Sequence, residues 1–478
     1  MNITQLDEPD LEFGAGSRHI DPRHGITDYG PADAASTAVR TIRCGVVGTP
    51  QSIDGLRRWL DRCRQPIPGK KSRLARLFVP FPGFDTSTGF RSTLIFDSRL
   101  ERPIGDRALK NLATLNPVRA VRSAVDMYME ELSILNEEPG CDVILVARPD
   151  QLPEGTPPEP EPRRGRWARA KVPAAEDFRA QLKAEAMRHS HPLQLIRRTT
   201  WDPSYRPPGD DGKERSIQDE ATRGWNLHTA LYYKAGGVPW RLLRHAADLT
   251  TCYVGVSFYR AISDDTLQTS VAQVFNERGD GMIIRGGPAQ ISREDRQPHL
   301  TAEHAETLLA DCLGRYRKEH HTSPARLVLH KSSSYTPAEI EGFRAAADSE
   351  HLHSLELLWI PGGEAIRLFR RGQHPPLRGT MLSLDDQRHL LYTHGSVPFY
   401  STYPGLYVPV PLAFRMIDCE SSSAQLAGEL LALTKMNWNQ TQLSTRKPIT
   451  LETSRRVGDI LRRLPADIQP QARYAFYM

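Results

Sequence analysis

The feature that most limits the fold of this chain is a series of short apolar runs that alternate with amphipathic stretches. A strand predicted over 43–48 leads into SIDGLRRWLDRCR, where Ile53, Leu56 and Leu60 follow helical spacing. The later run CDVILVARP (141–149) is continuously apolar, as in a strand buried on both faces of a parallel sheet. Between them the pattern predicts strands in LARLFVPF (74–81) and STLIFD (92–97), and a helix over 117–136. These elements predict one α/β domain over 41–200.

A second series follows a stretch at 201–220 that is rich in helix and strand breakers. Its pattern predicts, in order, a helix at 226–233, strands at 252–259 and 271–286 (a hairpin), a helix at 301–317, a strand at 325–332, a helix at 336–347, a strand at 355–360 and a helix at 422–435. In this order the hairpin comes before the alternating strands and helices, which predicts a sheet with both antiparallel and parallel strands.

Two segments look irregular. Residues 1–40 are rich in Gly, Asp, Pro and His, and we expect an irregular N-terminal leader that lies on the rest of the molecule. Residues 151–173 are too proline-rich for regular structure and predict a loop, after which a helix resumes over 174–187.

Composition restricts the class of protein further. The chain has 478 residues, a formal net charge of +5 and 39% hydrophobic residues, which is compatible with a polyanionic partner but equally with solvated basic faces. Six cysteines lie far apart without a Cys-x-x-Cys pair, so neither a zinc ribbon nor a disulfide framework is indicated. No signal peptide or membrane-spanning run is visible, and a cytoplasmic location fits best.

Several motifs, taken in order along the chain, carry a family resemblance. The relevant segments are LEFGAGSRHIDPRHGITDYGP (11–31), DFRAQLKAEAMRHSHPLQLI (177–196), TALYYKAGGVPWRL (229–242), CYVGVSFYR (252–260), LVLHKSSSYTPAEIEGF (327–343) and LTKMNWN (433–439). Together they resemble short prokaryotic Argonautes. The resemblance implies an α/β fold in which a Rossmann-like MID domain (41–200) precedes an RNase H-like PIWI domain (201–478).

The resemblance also implies a pocket for the 5′ phosphate of a guide strand, formed by Arg179, Lys183, Gln194 and Lys234. Residues four apart share a helix face, so the first two cations can converge on one phosphate. The ordinary alternative is a pair of solvated cations on an amphipathic helix. A further lysine of the family falls on Ala230 here. The resemblance therefore gives more weight to a Mg²⁺ ion at the phosphate, held by Gln194 and the carboxylate of Met478.

Cleavage by active PIWI domains uses two divalent ions held by an Asp-Glu-Asp-X tetrad. The two aspartate positions of the pattern fall on Ser257 and Ser332, so we expect no catalytic residue on this chain. A shifted register that recruits Asp264 and Asp265 is the alternative. A serine hydrolase that uses His330 has no Gly-x-Ser-x-Gly motif to support it, and no phosphate-binding loop for nucleotide hydrolysis is present.

What the resemblance implies for function is guide-directed binding without cleavage. The guide would be a small RNA with a 5′ phosphate and the target complementary single-stranded DNA. A partner with an APAZ domain would form a heterodimer with this chain and carry the effector, either an NAD-consuming TIR or sirtuin-like domain or a nuclease, in defence against plasmids and phage. Phe13, Ile20 and Tyr29 of the leader are the candidate docking residues. Alternatives are a guide-directed endonuclease with non-standard metal ligands and a nucleic-acid protein of unrelated function.

Overall fold

The computed structural model describes the chain except for residues 36–37, 153–176, 208–213, 245–247, 261–266, 276–280, 364–365, 406 and 466. The predicted loop at 151–173 therefore falls almost wholly outside the described residues. The acidic pair Asp264–Asp265 falls wholly outside them. Within the described part, no helix is both long enough and apolar enough to cross a membrane.

The N-terminal segment contains regular structure, so the prediction of an irregular leader is wrong. Its elements are β1 (Asn2–Gln5), β2 (Leu11–Glu12), β3 (Arg18–His19) and α1 (Pro22–Tyr29). The first turn of α1 is fixed by Asp21, whose carboxylate accepts hydrogen bonds from the main-chain N–H groups of Arg23 and His24. Phe13 is fully buried and Ile20 is half-buried, whereas Tyr29 is 37% exposed. Because Phe13 packs inside this chain, it is not available for docking a partner.

The first α/β unit is a parallel sheet of four strands among the described residues. Its elements are β4 (Thr41–Gly48), α2 (Pro50–Cys63), β5 (Thr93–Pro103), α3 (Asp106–Leu112), α4 (Pro117–Glu137), β6 (Val143–Ala147), α5 (Phe178–Glu185), β7 (Leu193–Ile196) and α6 (Arg198–Trp201). The strand order is β5-β4-β6-β7, and every neighbouring pair is parallel. Alternate residues of β4 and β6 face α2 on one side and α3, α4 and α5 on the other.

The strand predicted at 74–81 is absent: this stretch forms turns, and only Phe81 makes a β-bridge, to Ile67. Pro80 and Pro82 explain the difference, because proline has no N–H group to donate to a strand ladder.

The second part of the chain builds a larger sheet. Its elements are α7 (Glu220–Lys234), β8 (Arg241–Leu242), β9 (Thr251–Arg260), β10 (Leu267–Phe275), β11 (Gly281–Arg285), β12 (Gln290–Ile291), β13 (Pro298–His299), α8 (Ala302–His320), β14 (Arg326–Lys331), α9 (Pro337–Ser349), β15 (Ser354–Trp359), β16 (Thr380–Ser383), β17 (Arg388–Leu391), β18 (Leu412–Asp418), α10 (Ser423–Leu433), α11 (Ile449–Glu452) and α12 (Ser454–Leu461). The predicted helix at 226–233 begins earlier, at Glu220, because Asp219 caps it.

The larger sheet is mixed, as predicted, and in the described residues its strand order is β1-β16-β17-β18-β15-β14-β9-β10-β11. The central strands β9, β14 and β15 are parallel, and the flanking pairs are antiparallel. Helices α8 and α9 cover one face of the sheet, and α10, α11 and α12 lie on the other. Gly255 allows α11 to approach β9 closely, since a Cβ atom there would lie 2.0 Å from the carbonyl oxygen of Thr450.

One hydrophobic core joins the two sheets. It contains Leu56 of α2, Trp225 of α7, Leu430 of α10 and Tyr477 near the C-terminus, all buried. Helix α7 lies in this core and ends at Lys234, after which Gly236 adopts a φ of +97° and terminates the helix as the Gly-Gly pair predicts. The shared core holds the ends of α5, β7 and α7 in fixed positions relative to one another.

Candidate functional site

Four segments that are distant in sequence meet at the junction of the two sheets. Arg179 and Lys183 lie one turn apart on α5, Gln194 lies on β7, and Lys234 is the last residue of α7. The fourth segment is the C-terminal tail (residues 474–478), in which every residue is buried. The structure thus brings together all the residues that the sequence assigns to a phosphate pocket.

Lys183 is only 2% exposed. Its ammonium group donates hydrogen bonds to the main-chain oxygens of Leu193 and Phe476, each at 3.0 Å. The alternative of a solvated cation on an amphipathic helix is therefore wrong for this residue. A buried lysine without an acidic partner carries a large desolvation cost, so its retention points to a role other than stability.

The last three residues of the tail each accept a hydrogen bond, through a main-chain oxygen, from one of the three cations. The oxygen of Phe476 accepts from the Lys183 ammonium. The guanidinium Nη2 of Arg179 donates to the Tyr477 oxygen at 2.7 Å, and the Lys234 ammonium donates to the Met478 oxygen at 3.2 Å. The phenol of Tyr477 in turn donates to the Gln471 oxygen at 2.8 Å and fixes the tail. The tail therefore sets the positions of all three positive charges.

Burial disfavours the charged forms of these groups. It lowers the pKa of Arg179 to about 10 and of Lys234 to about 7, and it lowers the pKa of Lys183 well below its ordinary value. Mutual repulsion adds to the effect, since Lys234 and Arg179 each lower the pKa of Lys183. In the described part of the chain no carboxylate side chain forms an ion pair with any of the three. The pocket holds excess positive charge that a bound anion would neutralise.

Gln194 links the two halves of the pocket. Its Oε1 accepts from the Lys234 ammonium at 2.5 Å, and its Nε2 donates to the oxygen of Leu195 at 3.1 Å. Ala230, at the position of a further family lysine, is buried on α7 one turn before Lys234. No charge is supplied from that position.

The oxygens expected to hold Mg²⁺ are the Oε1 of Gln194 and the C-terminal carboxylate of Met478. Both suit a hard cation, but both already accept hydrogen bonds from Lys234, and two further cations lie beside them. These residues alone do not fit a resident Mg²⁺ ion. A metal there depends on the oxygens that a phosphate would bring.

The two positions expected to have lost their aspartates lie side by side. Strands β9 and β14 are parallel, with Lys331 opposite Val256, and Ser257 and Ser332 each follow directly. The main-chain N–H of Ser332 donates to the oxygen of Val256 at 3.1 Å, which continues the ladder by one step. Ser257 is buried and Ser332 is half-buried. The sequence assignment thus selects two neighbouring residues in the middle of the sheet, at the carboxyl end of β14.

A charged network lies nearby but on the other face of the sheet. Lys331 pairs with Glu339 at 2.9 Å, and its ammonium lies 5.4 Å from the ring of Phe258, which faces α8 and α9. Ser257 alternates with Phe258 along β9 and so points to the opposite face. Glu339 also accepts from His299, which contacts Asp295. These carboxylates are engaged in structural contacts away from the serine pair.

The described residues are not arranged for a serine hydrolase that uses His330 or for a metal site built from side chains. His330 is fully buried, its Nδ1 contacts the Thr450 hydroxyl at 2.9 Å, and burial lowers its pKa to about 3. It is committed to packing between β14 and α11 rather than to a serine. Across the residues with described positions, no group of three His, Cys, Asp or Glu side chains is arranged to hold a metal.

Sequence reasoning identified the cations, the buried tail and the terminal oxygens of Met478, but it missed the main-chain oxygens of Phe476 and Tyr477. Main-chain oxygens carry no residue-type signal, so no motif could have marked them. The Lys331–Glu339 pair was also missed, although the Thr336-x-x-Glu339 spacing of a helix capping box was visible in the sequence.

The two-sheet α/β architecture has counterparts among solved structures, while no protein-family model and no curated protein matches the sequence. An Argonaute from Clostridium butyricum, bound to a guide DNA and a 19-mer target DNA, matches 98% of this chain and 54% of its own, at 13% identity and a TM-score of 0.63. Drosophila Piwi matches 100% of this chain and 56% of its own, at 13% identity and a TM-score of 0.59. Aa-Ago with externally bound siRNA matches 99% of this chain and 56% of the Aa-Ago chain, at 15% identity and a TM-score of 0.59.

The chain therefore has an Argonaute-like fold with MID and PIWI parts, as the sequence predicted. It spans just over half the length of these structural neighbours.

Proposed function

We propose that this chain binds the 5′-phosphorylated end of a guide strand in the Arg179–Lys183–Gln194–Lys234 pocket and recognises a complementary target through base pairing. The observation that carries the proposal is the set of three buried or half-buried cations, positioned by main-chain oxygens of the tail and paired with no described Asp or Glu side chain. A terminal phosphate dianion supplies the missing negative charge.

The three cations differ in what they offer a phosphate. Arg179 presents a planar fork suited to two phosphate oxygens, and Lys183 and Lys234 act as point charges. Gln194 adds an amide beside Lys234. When bound together with the guide, a Mg²⁺ ion would neutralise part of the phosphate charge, and Gln194 and Met478 would be its ligands from this chain.

The proposed guide is a small RNA and the proposed target is single-stranded DNA. Base pairing would supply sequence specificity, and the protein would supply phosphate contacts and shape. The Clostridium butyricum neighbour is bound to a guide DNA and a target DNA, which supports the general mode of recognition rather than the choice of RNA.

We assign binding without cleavage. A two-metal site needs anionic ligands shared between the ions, and the hydroxyls of Ser257 and Ser332 cannot replace two carboxylates. The acidic network around Glu339 faces the other side of the sheet and is already paired. An effector activity would therefore belong to a partner.

The proposed partner is an APAZ-domain protein that carries a TIR, sirtuin-like or nuclease effector, in a cytoplasmic defence system against plasmids and phage. A guide–target duplex presents phosphates on all sides, and affinity depends on neutralising many of them. A second protein would supply the other wall of the channel. Tyr29 remains an exposed candidate contact for it, unlike Phe13.

The test compares binding of RNA guides with a 5′ phosphate or a 5′ hydroxyl, by fluorescence anisotropy, for the unmodified protein, Gln194→Ala and the exposed control Lys110→Ala. The unmodified protein and the control should prefer the 5′ phosphate. Hydrogen bonds to charged groups are worth about 1.5–3 kcal/mol, so Gln194→Ala should lose about tenfold to a hundredfold of that preference. Equal affinity of the unmodified protein for both guides would disprove the assignment of the pocket. A single cut opposite the guide middle in Mn²⁺ would disprove binding without cleavage.

A further inference from the structure

The larger sheet ends in a strand whose outer edge is open. Strand β1 (Asn2–Gln5) pairs with β16 on one side, and among the described residues no strand pairs with its other side. Charged residues, proline and bulges are the features that commonly keep an edge strand from pairing with another chain. The sequence of β1, Asn-Ile-Thr-Gln, has neither charge nor proline, and its pairing with β16 has no register shift. The edge is therefore unprotected.

The hydrogen-bonding pattern shows which residues of β1 face this open edge. The Thr380 oxygen accepts a hydrogen bond from the first residue beyond β17, so Thr380 faces β17. Met381 then faces β1 and pairs with Thr4, because successive residues of a strand direct their main-chain groups to opposite sides. Ile3 and Gln5 therefore direct their N–H and C=O groups outward. In the described part of the chain, no loop or side chain hydrogen-bonds to these groups.

An apolar row crosses the sheet and ends at the same edge. Ile3 lies opposite Leu382 of β16. Leu382 lies opposite Leu390 of β17, and Leu390 lies opposite Ala413 of β18. The last three residues are buried, and Leu368 packs against them, whereas Ile3 is 62% exposed. A strand added at the open edge would place a side chain beside Ile3, and an apolar side chain there would continue the row.

The segment that covers this row is basic. Residues 366–371, Ile-Arg-Leu-Phe-Arg-Arg, contain three arginines and no acidic residue. Arg370 and Arg371 are exposed, and neither forms an ion pair among the described residues. Phe369 is 82% exposed beside them. A partner that meets this face of the sheet is favoured when it brings negative charge together with apolar side chains.

A second copy of this chain fits the edge less well than a different protein. Two antiparallel copies of β1 would be related by a two-fold axis perpendicular to the sheet, so the same face of both copies would lie on one side of the joined sheet. Both copies of residues 366–371 would then lie on that side. Like charges brought together at an interface disfavour the pairing.

We propose that the open edge of β1 binds an extended strand of another protein, and that this strand carries apolar and acidic side chains on the face that includes Ile3. Its main chain would form hydrogen bonds with Ile3 and Gln5. In this mode of recognition the main-chain bonds supply affinity, and the side chains on one face supply selectivity. The edge does not involve the phosphate pocket, so the inference does not depend on the proposed function.

The test uses a fluorescein-labelled peptide, Val-Thr-Glu-Thr-Val-Thr-Glu, in which Val and Glu share one face of a strand. Its dissociation constant is measured by fluorescence anisotropy for the unmodified protein, Ile3→Asp and the control Val118→Asp. Val118 is 55% exposed on α4, so the control adds the same charge at another apolar position of similar exposure. Ile3→Asp should weaken binding by about tenfold, because it removes an apolar contact and repels the glutamates, and the control should bind like the unmodified protein. Thermal melting confirms that both variants fold.

Modified peptides test main-chain pairing and charge separately. N-methylation of Val and Glu removes the N–H groups that face β1 and should abolish binding, whereas N-methylation of the threonines leaves that side intact. Replacing both glutamates with lysine should weaken binding. Hydrogen exchange measured by mass spectrometry should show slower exchange of the Ile3 and Gln5 amides when the acidic peptide is bound.

Four results would overturn the inference. They are no saturable binding of the acidic peptide, equal binding of the two N-methylated peptides, and binding of the lysine peptide as tight as that of the acidic one. The fourth is protection of the Ile3 and Gln5 amides that rises with protein concentration in the absence of peptide, which would assign the edge to a second copy of this chain.

Discussion

The ammonium of Lys234 donates a hydrogen bond of 2.5 Å to the side-chain oxygen of Gln194, which lies forty residues earlier in the chain. One residue ends α7 and the other lies on the last strand of the four-stranded sheet. The proposed phosphate pocket therefore forms only when the two sheets are packed together. Lys234 also contacts the Met478 oxygen, so the C-terminal tail completes the same junction.

Guide binding should be coupled to proton uptake. Burial lowers the pKa of Lys234 to about 7, so this lysine is mostly neutral at pH 8 in the free protein. A phosphate dianion beside it favours the charged form and raises the pKa. Affinity for a 5′-phosphorylated guide should therefore fall as the pH rises from 7 to 9. Calorimetry at pH 8 in two buffers with different ionisation enthalpies measures the uptake directly.

Two controls separate this coupling from other titrations. Lys234→Arg stays charged at pH 8 and should take up fewer protons on binding. A guide with a 5′ hydroxyl should cause little uptake in any variant. A binding enthalpy independent of the buffer would contradict the prediction.

Lys183→Met should stabilise the guide-free protein most at low pH. Burial is the largest cause of the lowered pKa of Lys183 in the folded protein, whereas its pKa in the unfolded chain is ordinary. Between the two pKa values the unfolded state binds more protons, so the stability of the unmodified protein rises with pH across that window. The methionine variant lacks this dependence. Its melting temperature relative to the unmodified protein should be higher at pH 6 than at pH 9, and an unchanged difference would contradict the argument.

Glu339→Ala should destabilise the protein strongly. Glu339 is fully buried, pairs with the fully buried Lys331 at 2.9 Å, and accepts hydrogen bonds from the main-chain N–H groups of Leu300 and Thr336. Removing one partner of a buried ion pair costs about 3–5 kcal/mol, because the other charge stays buried and unpaired. Chemical denaturation measures this loss. The exposed neighbour Glu341, changed to Ala, should alter the free energy of unfolding by no more than about 0.5 kcal/mol.

Much of the fold could be predicted from sequence because its signals are local. The continuous apolar run at 141–149 becomes β6, buried at every position, and the long helical pattern at 117–136 becomes α4 with Asn116 as its N-cap. The stretch at 74–81 does not form the predicted strand, because its apolar residues pack from a loop: Phe81 meets the ring of Trp225 on α7 edge-on at 5.3 Å. The apolar content of this stretch indicates burial, whereas its prolines disfavour a strand.

The N-terminal segment and the tail show what local patterns cannot predict. Strand β1 exists because β16 offers it an antiparallel partner more than 370 residues away. The main-chain oxygens of the tail accept hydrogen bonds from Arg179, Lys183 and Lys234 only because the chain folds back to these residues. Such relationships depend on tertiary contacts, so a resemblance can identify the cations while the groups that position them appear only in the structure.

Restoring both aspartates, as Ser257→Asp/Ser332→Asp, should not produce a nuclease. The two positions are neighbours on parallel strands, so the variant would set two carboxylates close together and repel them unless a metal binds between them. Further ligands are needed to hold two ions, and the carboxylate of Glu339 is already committed to Lys331 on the opposite face of the sheet. Because Ser257 is buried, an aspartate there also carries a desolvation cost. We therefore expect a lower melting temperature for the double variant than for either single variant, little recovery on adding Mn²⁺, and no cleavage of a labelled complementary DNA by the guide-loaded protein. Recovery of stability by Mn²⁺ together with a single cut opposite the guide middle would show that the remaining ligands are present, and the assignment of binding without cleavage would then rest on the two serines alone.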